Sequence, residues 1–127
     1  MKRKLAWFSP LPPTRTGIAD YSRELLPHLA PSADITLFSD EYAHVAEAGL
    51  GAFPAFPPAA YAKRRWNFDL AVYQMGNSAY HESAGRALLR YPGVMVLHDY
   101  GLHQLWAAQT IGTGDFARYM REMAYAR

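Results

Sequence analysis

The sequence predicts an α/β fold, a doubly wound parallel sheet with helices on both faces, on three observations. Short apolar runs stand at 5–9, 34–38, 70–75 and 94–97, each bounded by Pro, Gly or polar residues. Between them lie stretches with apolar residues at helical spacing, most clearly at 18–29 and 80–91. Strand and helix therefore alternate, a pattern met by parallel strands joined through helical crossovers.

The first run, Leu5-Ala6-Trp7-Phe8-Ser9, is continuous rather than alternating, as expected of a strand buried on both faces, and it ends at the breaker cluster Pro10-Leu11-Pro12-Pro13. Ile18, Tyr21, Leu25, Leu26 and Leu29 then mark one face of a helix, with Thr16 placed to cap it and Asp20 near its positive end. Pro27 removes a backbone donor inside the last turns and is expected to kink or shorten that helix before Pro31 closes it. Residues 34–38 form the second strand of a strand-helix-strand unit.

Residues 40–68 carry the weakest pattern: a helical stretch at 42–47, then Gly49, Gly51, Pro54, Pro57 and Pro58, then a basic turn at 63–65. Loop with a short edge strand is expected there. The run at 70–75 stops at Gly76-Asn77-Ser78, a helix follows at 80–91, Pro92-Gly93 breaks it, and 94–97 is the next strand with His98-Asp99 at its carboxyl end. Two further helical stretches fill 101–110 and 114–126.

Composition narrows the function classes. With 127 residues the chain has the size of one domain, and 50% hydrophobic against 19% charged residues exclude a disordered or coiled-coil chain. The absence of cysteine excludes a disulfide framework and a thiolate metal site. The five histidines lack any ligand spacing, so no metal is expected. A net charge of +2 without a Lys/Arg run longer than three residues speaks against nucleic acid. Lys2, Arg3, Lys4, Lys63, Arg64 and Arg65 could meet an anionic membrane surface, against the plainer reading of scattered solvated charges. The apolar run behind the basic start is too short for a signal core or a span, so a cytoplasmic location is expected, with peripheral contact at the inner membrane face left open.

Doubly wound sheets bind ligands beyond the carboxyl ends of their strands, which here means three loops: 10–17, 76–78 and 98–101. In the first, Gly17 allows close backbone approach, and the helix start behind it offers free N–H groups to an anion such as a diphosphate; a plain Pro-rich turn before a capped helix is the competing reading. Neither GxGxxG nor GxxxxGK[ST] is present. His98 is the best catalytic candidate, with the Asp99 carboxylate able to orient it or a sugar hydroxyl. Asn77 and Ser78 can bind hydroxyls but are also ordinary turn residues. Tyr73, Tyr80, Tyr91, Tyr100 and Trp106 could include a sugar platform, although strand and helix positions make most of them core. A GxSxG nucleophile elbow is missing.

Taken together, "PLPPTRTGIADYSRELLPHLA", "DLAVYQMGNSAYH" and "PGVMVLHDYGLHQL" resemble, in order and spacing, the N-terminal domain of glycosyltransferase family 4 proteins. The resemblance covers most of 5–106, and its most restrictive piece is the Pro-rich loop running through Thr-Gly-Ile-Ala-Asp-Tyr-Ser into a helix. It implies a Rossmann-like domain, the acceptor-side half of a two-domain GT-B enzyme that transfers sugar from a nucleoside diphosphate sugar to a glycan, lipid or protein acceptor with retention and without a bound metal. It places Gly17 against the donor diphosphate and His98 by the donor sugar, supported by Asp99, and it makes Asp20, Tyr21 and Asn77 acceptor-side candidates. It also implies that the strand ending at Gly76 neighbours the first strand, with the strand ending at His98 next outward.

A full enzyme of this kind needs a second, donor-binding domain carrying a Glu-x7-Glu motif, which 1–127 lacks, so the isolated chain is expected to be inactive and to self-associate through an uncovered cleft wall. The rival expectation is a non-catalytic Rossmann-like module that holds a glycan or a partner domain.

Overall fold

Arg3–Phe8 forms the central strand, β1, and its last three residues are buried. In the computed structural model, which describes residues 2–76 and 82–98, β1 leads through the Pro-rich loop into α1 (Gly17–Leu29), and β2 (Ala33–Phe38) follows. After a 3-10 turn at Tyr42–His44 come the two-residue strand β3 (Ala55–Phe56), α2 (Tyr61–Arg64) flanked by 3-10 turns, β4 (Leu70–Met75), α3 (Glu82–Arg90) and β5 (Val94–Leu97). The five strands run in the order β3-β2-β1-β4-β5 with every pairing parallel. This is a Rossmann-like α/β sheet, and β4 beside β1 with β5 outside it is the order that the resemblance implies.

Alternation along the strands divides the core into two layers. Trp7, Ile35, Leu37 and Val72 face α1 and pack with Leu26 and Leu11; Ala6, Phe8, Phe38, Ala71, Tyr73 and Met75 face α2 and α3. Helices thus cover both faces. On the second face Phe38, Phe8 and Tyr73 stand in one register row across three strands, stacked at 5.1 and 4.6 Å between ring centroids, and Tyr61 closes the row edge-on. That contact gives a physical reason for α2 where local sequence suggested only a basic turn.

Thr16 caps α1 as its position predicts, accepting from the Ala19 N–H at 2.9 Å. Pro27 does not shorten the helix, which runs on to Leu29; it sits exposed in the last turn, where the missing donor forfeits a single bond near the frayed end. The helix expected at 42–47 is reduced to its 3-10 turn. Val45–Leu50 closes instead through Leu50 N–H to Val45 O at 2.8 Å, with Gly49 at φ 80°, so that Leu50 drops into the core beside Val45. The helical stretches expected at 101–110 and 114–126 lie outside the described residues, as do Tyr80, His81, Tyr100, His103 and Trp106. Among the described residues no helix is long and apolar enough to cross a membrane.

Candidate functional site

The carboxyl end of β1 is tied to α1 by a buried chain of hydroxyls. Trp7 Nε1 donates to Ser22 Oγ at 3.2 Å, the Ser22 and Ser9 hydroxyls bond at 2.7 Å, and Ser9 Oγ donates to Pro10 O at 2.7 Å. If Ser22 donates to Ser9, each proton in the chain has an acceptor, which is what burial at the start of the Pro-rich loop demands. The loop is held from its other side by Glu41, whose carboxylate accepts from Thr14 Oγ1 and, at 2.9 Å, from Ser39 Oγ. The peptide between Pro12 and Pro13 is cis. Between the ends of β1 and β2 these contacts leave a space of about 10 Å³, room for no ligand beyond a single water.

The open space lies in front of the loop. Pro12, Pro13, Thr14, Arg15, Thr16, Gly17 and Asp20 line a shallow, open concavity of about 620 Å³. At its floor α1 begins. Ala19 N–H is taken by the Thr16 side chain and Asp20 N–H by Thr16 O, which leaves the Gly17 and Ile18 N–H groups pointing out of the helix start with no acceptor among the described residues. No described atom lies within 4 Å of where a Cβ on Gly17 would stand, and its φ is not positive, so packing does not require glycine there. Asp20 pairs with Arg23 at 3.6 Å, both side chains being well exposed, so the pair adds little stability.

His98 stands at the carboxyl rim of the sheet on the β4–β5 side, outside the lining of that concavity. Its backbone N–H donates to Met75 O at 2.9 Å, continuing the ladder by one residue. Its Nε2 meets Gln74 Oε1 at 2.8 Å, and the ring lies edge-on to Tyr21 with centroids 4.8 Å apart. Since Gln74 Oε1 accepts, Nε2 carries a proton and Nδ1 of the neutral ring is left as an acceptor. Tyr21 follows Gly17 by four residues on α1, so about 6 Å of helix separates the residue touching His98 from the free amides.

Of the residues expected at the site, Gly17, Asp20, Tyr21 and His98 thus share one rim, with His98 and Tyr21 in direct contact. Asn77 and Asp99 lie outside the described residues.

Comparison with known proteins finds no matching family model, no matching curated protein and no matching solved structure.

Three residues that matter to this rim escaped the sequence reading. Gln74 carried a signal, a lone amide in an otherwise apolar strand, and is 1% exposed. Arg15 supplies a cation to the concavity, and Glu41 anchors the loop from a segment with no usable pattern. Among the described residues no three His, Asp or Glu side chains gather in a metal-holding group. Tyr73, a platform candidate, is fully buried; its hydroxyl donates to Tyr91 O, and desolvation raises its pKa well above the usual tyrosine value.

Proposed function

We propose that this chain is the acceptor-side half of a GT-B glycosyltransferase that moves a sugar from a nucleoside diphosphate sugar to a glycan, lipid or protein acceptor with retention. One observation carries the reading beyond the resemblance: the imidazole of His98 contacts Tyr21 one helical turn from the free amides of Gly17 and Ile18. A phosphate group at those amides would meet two N–H donors and the positive end of a 13-residue helix, with the Arg15 cation on the same concavity.

In this reading the chain's own contribution is electrostatic and positional. As the bond from sugar to diphosphate breaks, negative charge grows on the departing oxygen, and the Gly17 and Ile18 amides together with the helix end stabilise it. His98, held by Gln74, turns Nδ1 toward a sugar hydroxyl and keeps the ring from rotating; no covalent intermediate on it is invoked. Asp20 and Tyr21 line the side from which an acceptor would approach, and Asn77 and Asp99 are proposed to join them. The nucleotide pocket is proposed to come from a second domain, so the 127-residue chain binds donor weakly and does not turn over.

A titration followed by NMR tests this. Nucleoside diphosphate sugars should shift the Gly17 and Ile18 amides and the His98 ring together, with a dissociation constant of roughly millimolar. Donors that leave all three unmoved while free glycans shift Asp20 and Tyr21 would replace the transferase reading with that of a non-catalytic glycan-binding module.

A further inference from the structure

The end of the sheet opposite the candidate site is strongly cationic. The start of β4 is fastened to the start of β1, Asp69 N–H to Lys4 O and Lys4 N–H to Asp69 Oδ2, both at 2.8 Å. This brings Lys63, Arg64 and Arg65, just ahead of β4, to the amino end of β1, where Lys4 is the second residue. Lys4 and Arg64 line one groove, and Arg90, at the returning end of α3, lies one residue before the Tyr91 ring over which Arg65 sits at 5.1 Å. Two carboxylates, Asp34 and Asp69, stand among these five cations, and none of the five has an ion-pair partner among the described residues. From their midst Trp66 projects with 81% of its surface exposed, its ring covered on one side by the Arg65 guanidinium at 4.2 Å.

We propose that this end of the sheet docks on an anionic lipid surface, with Trp66 as the anchor and Lys4, Lys63, Arg64, Arg65 and Arg90 as the electrostatic contact. An indole is an apolar body with one polar N–H, suited to the boundary between headgroups and acyl chains. The guanidinium stacked on it stays paired with the π-face as the ring enters, which lessens the desolvation of the charge. Lysine and arginine stems reach headgroup phosphates while their methylenes cover apolar surface. The cations come from three separated segments, and a protruding indole stands beside them, a pairing of charge with an exposed aromatic anchor that suits a lipid surface. The inference stands apart from the site on the opposite rim, and either can fail without the other.

The test is sedimentation of the 127-residue chain with vesicles of phosphatidylcholine alone or mixed with phosphatidylglycerol. Binding to the anionic vesicles is expected to weaken with salt and to fall roughly fivefold for each cation removed in Lys63→Gln and Arg64→Gln. Arg23→Gln, on α1, should leave it unchanged. Brominated acyl chains should quench the tryptophan emission of the native chain and lose that effect in Trp66→Ala, whose circular dichroism should match the native protein. Equal binding to neutral vesicles, quenching that survives Trp66→Ala, or tighter binding to a short RNA than to the anionic vesicles would each overturn the proposal.

Discussion

His98 Nε2 and Gln74 Oε1 meet at 2.8 Å, so a ring on the exposed rim is held by an amide that is 1% exposed in the strand beneath it. The pairing separates the work of the two residues: Gln74 sets the tautomer from inside, and Nδ1 remains as the acceptor of the ring.

Replacing Gln74 with Leu should therefore change His98 without moving it far. Nitrogen-15 shifts of the ring are expected to report the Nε2–H tautomer in the native chain and a mixture in Gln74→Leu, because a hydrogen bond worth about 1 kcal/mol has been removed. A Gln74→Leu spectrum identical to the native one would show that Gln74 does not set the tautomer.

Two glycines at opposite ends of the sheet should respond differently to an added methyl. In Gly17→Ala the Cβ enters space free of described atoms, and urea unfolding should register a change within about 0.5 kcal/mol, while the donor-induced amide shifts weaken by tenfold or more. In Gly93→Ala the Cβ would lie 3.0 Å from Ala71 Cβ and closer still to Ala71 O, forcing β5 from β4 at a cost of about 1–3 kcal/mol.

Ser22→Ala should destabilise the chain by about 1–3 kcal/mol in the same assay. It leaves the Trp7 indole N–H without its acceptor and Ser9 without one of its two partners, inside a region where Ser22 is 0% exposed. A neutral result would mean that water replaces the hydroxyl.

Alkaline pH should unfold the protein through Tyr73 and Tyr61. Burial raises both above the usual tyrosine value of 10.0, so the folded chain keeps protons that the unfolded chain releases. The stability each contributes is fully present below about pH 10 and is lost as pH rises toward the folded value, with a limiting slope of about 1.4 kcal/mol per pH unit for each tyrosine. Tyr73→Phe should flatten its share of that slope in urea titrations between pH 9 and 12 while lowering stability at neutral pH through loss of the bond to Tyr91 O.

The main strands and the principal helices could be read from the chain because their causes are local. Continuous apolar runs marked β1, β4 and β5, helical spacing marked α1, and Thr16 announced its own role as a cap. The tertiary structure decided everything that depends on residues far apart in sequence. It paired Gln74 with His98 across 24 positions, made Tyr61 the lid of an aromatic row, and drew Lys4 beside Asp69 across 65, gathering the cations at one end. Local sterics and periodicity settle what each segment becomes, whereas a polar side chain in a buried strand states only that it needs a partner, and which partner it finds is settled when the strands align.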